Sequence, residues 1–142
     1  MMLIVPIRQR MTAVTLGARS VPALRAFYAA IGWTENEGSD DAFSSFTLGD
    51  VRLALYPIDL LHGEAAPEEP VIAPPSWNGT TLALNVSTRQ EVDTAIATAV
   101  AAGARAIGSP VEREWGGYSG YFADPEGQRW EIAWAPWLTD LD

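Results

Sequence analysis

Cysteine and lysine are absent from this 142-residue chain, and histidine occurs once, as His62. Without cysteine there are no disulfides, no thiolate nucleophile and no Cys-based zinc or iron–sulfur site. Without lysine there is no Schiff base and no lysine-anchored pyridoxal site. A single histidine excludes a multi-histidine metal centre within one chain, and it leaves no Ser–His pair for triad hydrolysis. No apolar run is long enough for a membrane-spanning helix. Positive charge is also scarce: nine arginines face 18 acidic residues, for a formal net charge of −9. Nucleic acid binding needs a basic stripe, and these arginines are scattered, so neither nucleic acid nor an anionic membrane is an expected partner. The acidic excess suits solubility and would attract a cationic ligand. What remains for chemistry is carboxylates, hydroxyls, tyrosines, amides and arginines.

Hydrophobic residues make up 48% of the chain and charged residues 19%, which supports one globular domain, 1–142, with a real core. The opening stretch, 1–10, is apolar and ends in Arg8 and Arg10. That order is the reverse of a signal peptide, so it reads as a start-site extension, an extra edge strand or a contact arm in a cytoplasmic protein.

Punctuation divides the rest into two modules, 11–62 and 80–137, joined by a linker, 63–79, that carries Pro67, Pro70, Pro74 and Pro75. In the first module an apolar strand, 11–18, leads to Ser20 as helix cap. A helix follows with Val21, Leu24, Phe27, Tyr28 and Ile31 on one face. Gly32 ends it, and strands follow at 33–37, 42–48 and 51–56. The second module repeats the order: strand 80–86, a cap at Ser87 or Thr88 with Glu91 completing a capping box, a helix ending at Gly103, then strands 104–108, 112–123 and 128–135. Each module is therefore βαβββ. The fold class expected is α+β, with two tandem βαβββ modules.

Trp115-Gly116-Gly117-Tyr118-Ser119-Gly120-Tyr121-Phe122-Ala123-Asp124-Pro125-Glu126-Gly127-Gln128-Arg129-Trp130-Glu131 resembles the closing hairpin of the vicinal oxygen chelate superfamily. That superfamily includes glyoxalase I, extradiol dioxygenases, fosfomycin-resistance enzymes and bleomycin-resistance proteins. The strand and helix ending in Phe27-Tyr28 resemble the start of its first module. The resemblance implies two tandem βαβββ modules forming curled mixed sheets around an open cup with helices outside, a ligand held inside the cup and a homodimer, with the pocket in some members shared between chains. It also implies where metal-dependent members place their four ligands: here Ala13, Leu53, Thr81 and Glu131. Only Glu131 is a metal-binding residue of the expected kind, so no metal and no cofactor are expected.

Strand alternation then assigns the cup lining. Ala13, Thr15 and Gly17 share a face, as do Thr81, Ala83 and Asn85. Leu53, Leu55, Arg129, Glu131 and Ala133 are expected to face them, with Ser119 and Tyr121 from the neighbouring strand. Trp115 is expected at the cup mouth, Trp33 in the core, Trp77 anchoring the linker and Trp137 as a lid or dimer contact. The ligand-binding set is thus Thr15, Leu53, Thr81, Asn85, Trp115, Ser119, Tyr121, Arg129 and Glu131. Three functions fit it. One is a metal-independent binding protein for a hydrophobic or aromatic small molecule, acting in drug or metabolite sequestration. A second is a metal-free lyase or isomerase on a carbonyl compound, with Glu131 or Tyr121 as acid–base. A third is an interaction module with a vestigial cup.

Overall fold

The structure is a computed structural model that describes residues 3–71, 76–138 and 141. Pro74 and Pro75 of the expected linker, and Met1 and Met2 of the arm, lie outside these residues. Among the described residues the architecture is α+β, with two mixed sheets, three helices and no closed barrel. Sheet A has the order β1-β3-β2, from Ala13–Ala18, Val51–Pro57 and Ser44–Leu48. Sheet B has the order β4-β7-β6-β5, from Thr81–Asn85, Arg129–Trp134, Tyr118–Ala123 and Arg105–Glu112. β1 runs parallel to β3, and β4 runs parallel to β7. Each parallel pair is bridged by a helix, α1 (Val21–Ala30) in the first module and α3 (Arg89–Ala101) in the second.

Both helices start where the capping residues dictate. Ser20 Oγ accepts from Ala23 N at 3.2 Å, and Thr88 Oγ1 accepts from Glu91 N at 3.1 Å. Glu91 reaches back to Ser87 N at 2.8 Å, one residue before the cap. The apolar stripe of α1 buries Leu24, Phe27 and Tyr28. α3 buries Val92, Ile96 and Ala99.

Three expected strands differ in the structure. Strand 33–37 is reduced to one bridge, Glu35 to Phe46, because its polar side chains bond sideways: Glu35 to Arg25, and Asn36 to Ser45 and Thr47. The expected strands 104–108 and 112–123 are redrawn. β5 runs on through a bulge between Ile107 and Val111, and the chain turns at 113–117 instead. A helix not foreseen, α2 (Ile58–Ala65), follows β3 and carries His62, which is half-buried on a helix and not in a loop. Gly17 makes room for α2 over β1: a Cβ there would lie 2.3 Å from Ile58 Cδ1.

One core joins the modules. Phe27 packs on Phe122 at 6.1 Å between centroids, and Trp33, stacked on Tyr28, meets Trp130 edge-on at 5.6 Å. At the centre the Tyr28 hydroxyl donates to Asp124 Oδ2 at 2.6 Å and accepts from Trp130 Nε1 at 3.0 Å. Asp124 Oδ1 accepts from Glu126 N and Gln128 N, which fixes the β6–β7 turn. The residues of α1 thus reach the helix-bearing face of sheet B as well as their own sheet. Each sheet turns its other face away from this shared core.

Candidate functional site

Pairing register identifies those outward faces. In sheet B, Thr81 pairs with Arg129, Ala83 with Glu131 and Asn85 with Ala133, and across β7 the partners are Ala123, Tyr121 and Ser119. Paired residues share a face. The expected residues Thr81, Asn85, Ser119, Tyr121, Arg129 and Glu131 are therefore brought together, on a floor of Ala83, Ala123 and Ala133. Thr81 and Asn85 are exposed on edge strand β4, and Glu131 and Tyr121 are half-buried at the centre.

In sheet A the pairs are Ala13 with Arg52, Thr15 with Ala54 and Gly17 with Tyr56. This corrects Leu53. It pairs with Val14, is 1% exposed and lies in the core, as does Leu55. The glycine stands at a different distance from the strand in the two hairpins: counting from it, Arg52 is the third residue after Gly49 and its counterpart Arg129 is the second after Gly127. Counting a fixed interval from both glycines therefore flips the face. The position in sheet A that corresponds to Glu131 is Ala54.

At the centre of sheet B's outward face the Tyr121 hydroxyl donates to Glu131 Oε2 at 2.9 Å. Desolvation, and then this bond to the Glu131 carboxylate, raise the Tyr121 phenol above its ordinary value. Arg113, not anticipated from the sequence, completes the group. Its Nε donates to Ser119 Oγ at 2.8 Å, its Nη2 to the Ser119 carbonyl at 3.1 Å, and its Cζ stands 5.6 Å from the Tyr121 ring centroid. Ser119 is fully buried beneath it. The signal that would have found Arg113 is the β5–β6 turn at 113–117, which returns this residue to the same face. Arg129 donates to the Gly127 carbonyl at 2.8 Å.

Trp115 sits in that turn. Its ring occupies the space beside Gly117, where a Cβ would come within 1.9 Å, and it meets Trp137 edge-on at 6.2 Å. Both rings are about half exposed or more. Trp77 donates to the Thr80 carbonyl at 3.2 Å at the linker's end.

A metal finds few donors here. The four corresponding positions carry Ala13, Ala54, Thr81 and Glu131: two methyl groups, one neutral hydroxyl and one carboxylate. Among the described residues no three His, Cys, Asp or Glu side chains gather closely enough to hold an ion. This donor set does not fit a divalent metal. Two cavities exist elsewhere among the described residues. One, of about 550 Å³, lies between α2, β1 and the 124–128 turn and includes Thr15, Ile58 and His62. The other, of about 340 Å³, lies between the end of α1 and α3. Thr15 is the one expected site residue that lines either.

Known structures share this fold. A glyoxalase-related enzyme from Fulvimarina pelagi is 28% identical, with 91% of this chain and 90% of that chain covered at a TM-score of 0.80. A glyoxalase/bleomycin resistance protein/dioxygenase family enzyme from Burkholderia phytofirmans PsJN is 26% identical over 87% and 97%, with a TM-score of 0.74. A lactoylglutathione lyase from Agrobacterium tumefaciens is 19% identical over 94% and 100%, with a TM-score of 0.67, and supports the fold alone. No curated protein matches the chain. No described helix is long and apolar enough to cross a membrane. The sequence profile of the family described as glyoxalase-like domain matches residues 13–133, and the chain belongs to that family, within the vicinal oxygen chelate superfamily.

Proposed function

We propose that this protein is a metal-independent small-molecule binding protein of the glyoxalase/bleomycin-resistance type. The carrying observation is the donor set Ala13, Ala54, Thr81 and Glu131, which leaves one carboxylate where metal chemistry needs about three strong ligands. Around that carboxylate a floor of alanines with convergent polar groups has the make-up of a small-molecule site. The test is metal loading. Chelator-treated protein is offered nickel, zinc and manganese in turn, and bound metal is measured after desalting. The expected result is far less than one equivalent per chain with an unchanged melting temperature. A full equivalent of any of them overturns the proposal.

The site is completed by a second copy of the chain in this reading. α2 covers the Gly17 end of sheet A's outward face, the rest of the two faces leaves Ala13, Thr15, Thr81, Ala83 and Asn85 exposed in one chain, and the arm adds Leu3, Ile4, Val5 and Ile7, each more than four-fifths exposed. Light scattering is expected to give twice the 15.3 kDa chain mass. A monomer at working concentration removes the shared pocket.

The Tyr121–Glu131 hydrogen bond favours a second reading, a metal-free lyase or isomerase with Glu131 as acid–base. Glu131→Gln separates the two. Lost turnover of a carbonyl substrate with retained binding supports catalysis, and equal turnover in both proteins removes Glu131 from any mechanism.

A further inference from the structure

The nine arginines are not spread evenly over the fold. Arg19, Arg25 and Arg89 pair with acids: Arg19 with Glu126, Arg25 with Glu35 and Asp41, and Arg89 with Glu112. Arg8 and Arg10 lie in the arm. The other four, Arg52, Arg105, Arg113 and Arg129, form no ion pair among the described residues. All four belong to the outward faces. Arg52 shares its face with Ala13 and Thr47, Arg105 and Arg129 both pair with Ala123, and Arg113 rests on Ser119 and Tyr121. On those faces Glu131 is the one strand carboxylate among the described residues. A chain with net charge −9 thus collects four unpaired arginines on two faces whose described strand residues include a single acid, with Glu64 of α2 approaching sheet A at Tyr56. Solubility does not require this arrangement, since paired or scattered arginines serve equally well.

We infer that the ligand is a small organic acid whose carboxylate is held by Arg113. This inference rests on the reading of the open face as the binding site, and it replaces the cationic ligand suggested by net charge. Two bonds to Ser119 and the face of Tyr121 pin Arg113, which leaves Nη1 without a partner among the described residues. A guanidinium already immobilised loses little further freedom when it meets an anion, and Arg–carboxylate bonds are among the strongest available to a protein. Arg113 stands against Tyr121, whose hydroxyl bonds Glu131, so any ligand anion comes near that carboxylate. A singly charged carboxylate tolerates that neighbour better than a phosphate dianion does. The alanine floor provides apolar contact for the organic body, and Glu131 Oε1 is available to accept a bond from a ligand hydroxyl or amine.

The experiment uses four probes of one shape: 1-naphthoate, its neutral amide, 1-naphthylmethylamine and 1-naphthyl phosphate. They are titrated into the full-length protein and followed by amide chemical shifts and calorimetry. Naphthoate is expected to bind at least about tenfold more tightly than the amide, and Arg113→Gln is expected to weaken it about tenfold. Arg89→Gln, which makes the same change of net charge on α3, across sheet B from the outward face, is expected to leave it unchanged. If the amide or amine binds as tightly as the acid, with shifts at residues 119–121 and 131–133, the binding site stands and its preference for anions falls. The carboxylate assignment is overturned if the phosphate leads. An equal loss in Arg89→Gln reduces the effect to net charge and overturns the role of Arg113. If no probe moves those resonances, both this inference and the reading of the face are wrong.

Discussion

Replacing Tyr28 with phenylalanine tests whether one hydroxyl joins the two modules. That hydroxyl is buried, donates to Asp124 Oδ2 at 2.6 Å and accepts from Trp130 Nε1 at 3.0 Å. Its removal takes away one hydrogen bond to a charged group and strands the indole N–H of a tryptophan that is 2% exposed. Together these cost about 3 kcal/mol, or roughly 10 °C in melting temperature for a domain of this size. The pH dependence makes the test specific. Burial raises the Asp124 carboxyl above its ordinary value, while the Tyr28 hydroxyl and the Gln128 and Glu126 amides pull it down. A carboxyl whose folded value exceeds its unfolded value favours the fold when protonated. That contribution is complete below the unfolded value of 3.8 and is lost as pH rises through the folded value. Without the hydroxyl the folded value rises further, so the variant loses more on the way to neutral pH. The stability difference between wild type and Tyr28→Phe, from urea unfolding, is therefore expected to be largest at neutral pH and to shrink towards pH 3.8. A difference below about 1 kcal/mol, equal at both ends of that range, refutes the role given to the hydroxyl.

Other perturbations address single links. Thr88→Ala removes the cap of α3 and is expected to cost about 1 kcal/mol in urea unfolding, with Thr88→Ser close to wild type. Gly117→Ala places a methyl 1.9 Å from the Trp115 ring and 2.6 Å from the Trp134 carbonyl, so a loss of about 2–3 kcal/mol and a changed tryptophan emission are expected. An unchanged spectrum would mean that Trp115 does not lie over that glycine. Glu131→Gln is expected to lower the Tyr121 phenol towards 10.0 but not fully, because desolvation is the larger cause of its elevation. NMR titration with ring-labelled tyrosine reads this directly.

Much of the fold was legible because local and global signals agree. Ser20 and Thr88 cap the helices they precede, and the alternation through 81–85 and 129–134 predicts which residues of sheet B share a face. Where side chains compete with the ladder, the pattern misleads. Glu35 and Asn36 spend their polar groups on Arg25, Ser45 and Thr47, so an expected strand shrinks to a bridge. α2 was illegible because its eight residues, with a proline at the cap position and a glycine inside, carry weak helical signals. Arg113 was missed because strand alternation cannot be carried across a turn whose length is unknown.

The same limit explains the largest error and what it concealed. One extra residue between the turn glycine and the strand position in the first hairpin exchanges Leu53 for Ala54 at the position opposite Thr15, and it also moves Arg52 from the core side to the outward face. With Leu53 and Leu55 taken as lining, sheet A looked apolar, and the acidic total pointed to a cationic ligand. With the register corrected, the outward faces carry Ala13, Thr15 and Ala54 beside arginines. The chain's negative charge lies mainly elsewhere, in the loops and helices and in the ion pairs of Arg19, Arg25 and Arg89. Net charge is a sum over the surface, whereas a ligand meets one face of it. The sign of that face is set by strand register, and a single turn residue is enough to reverse it.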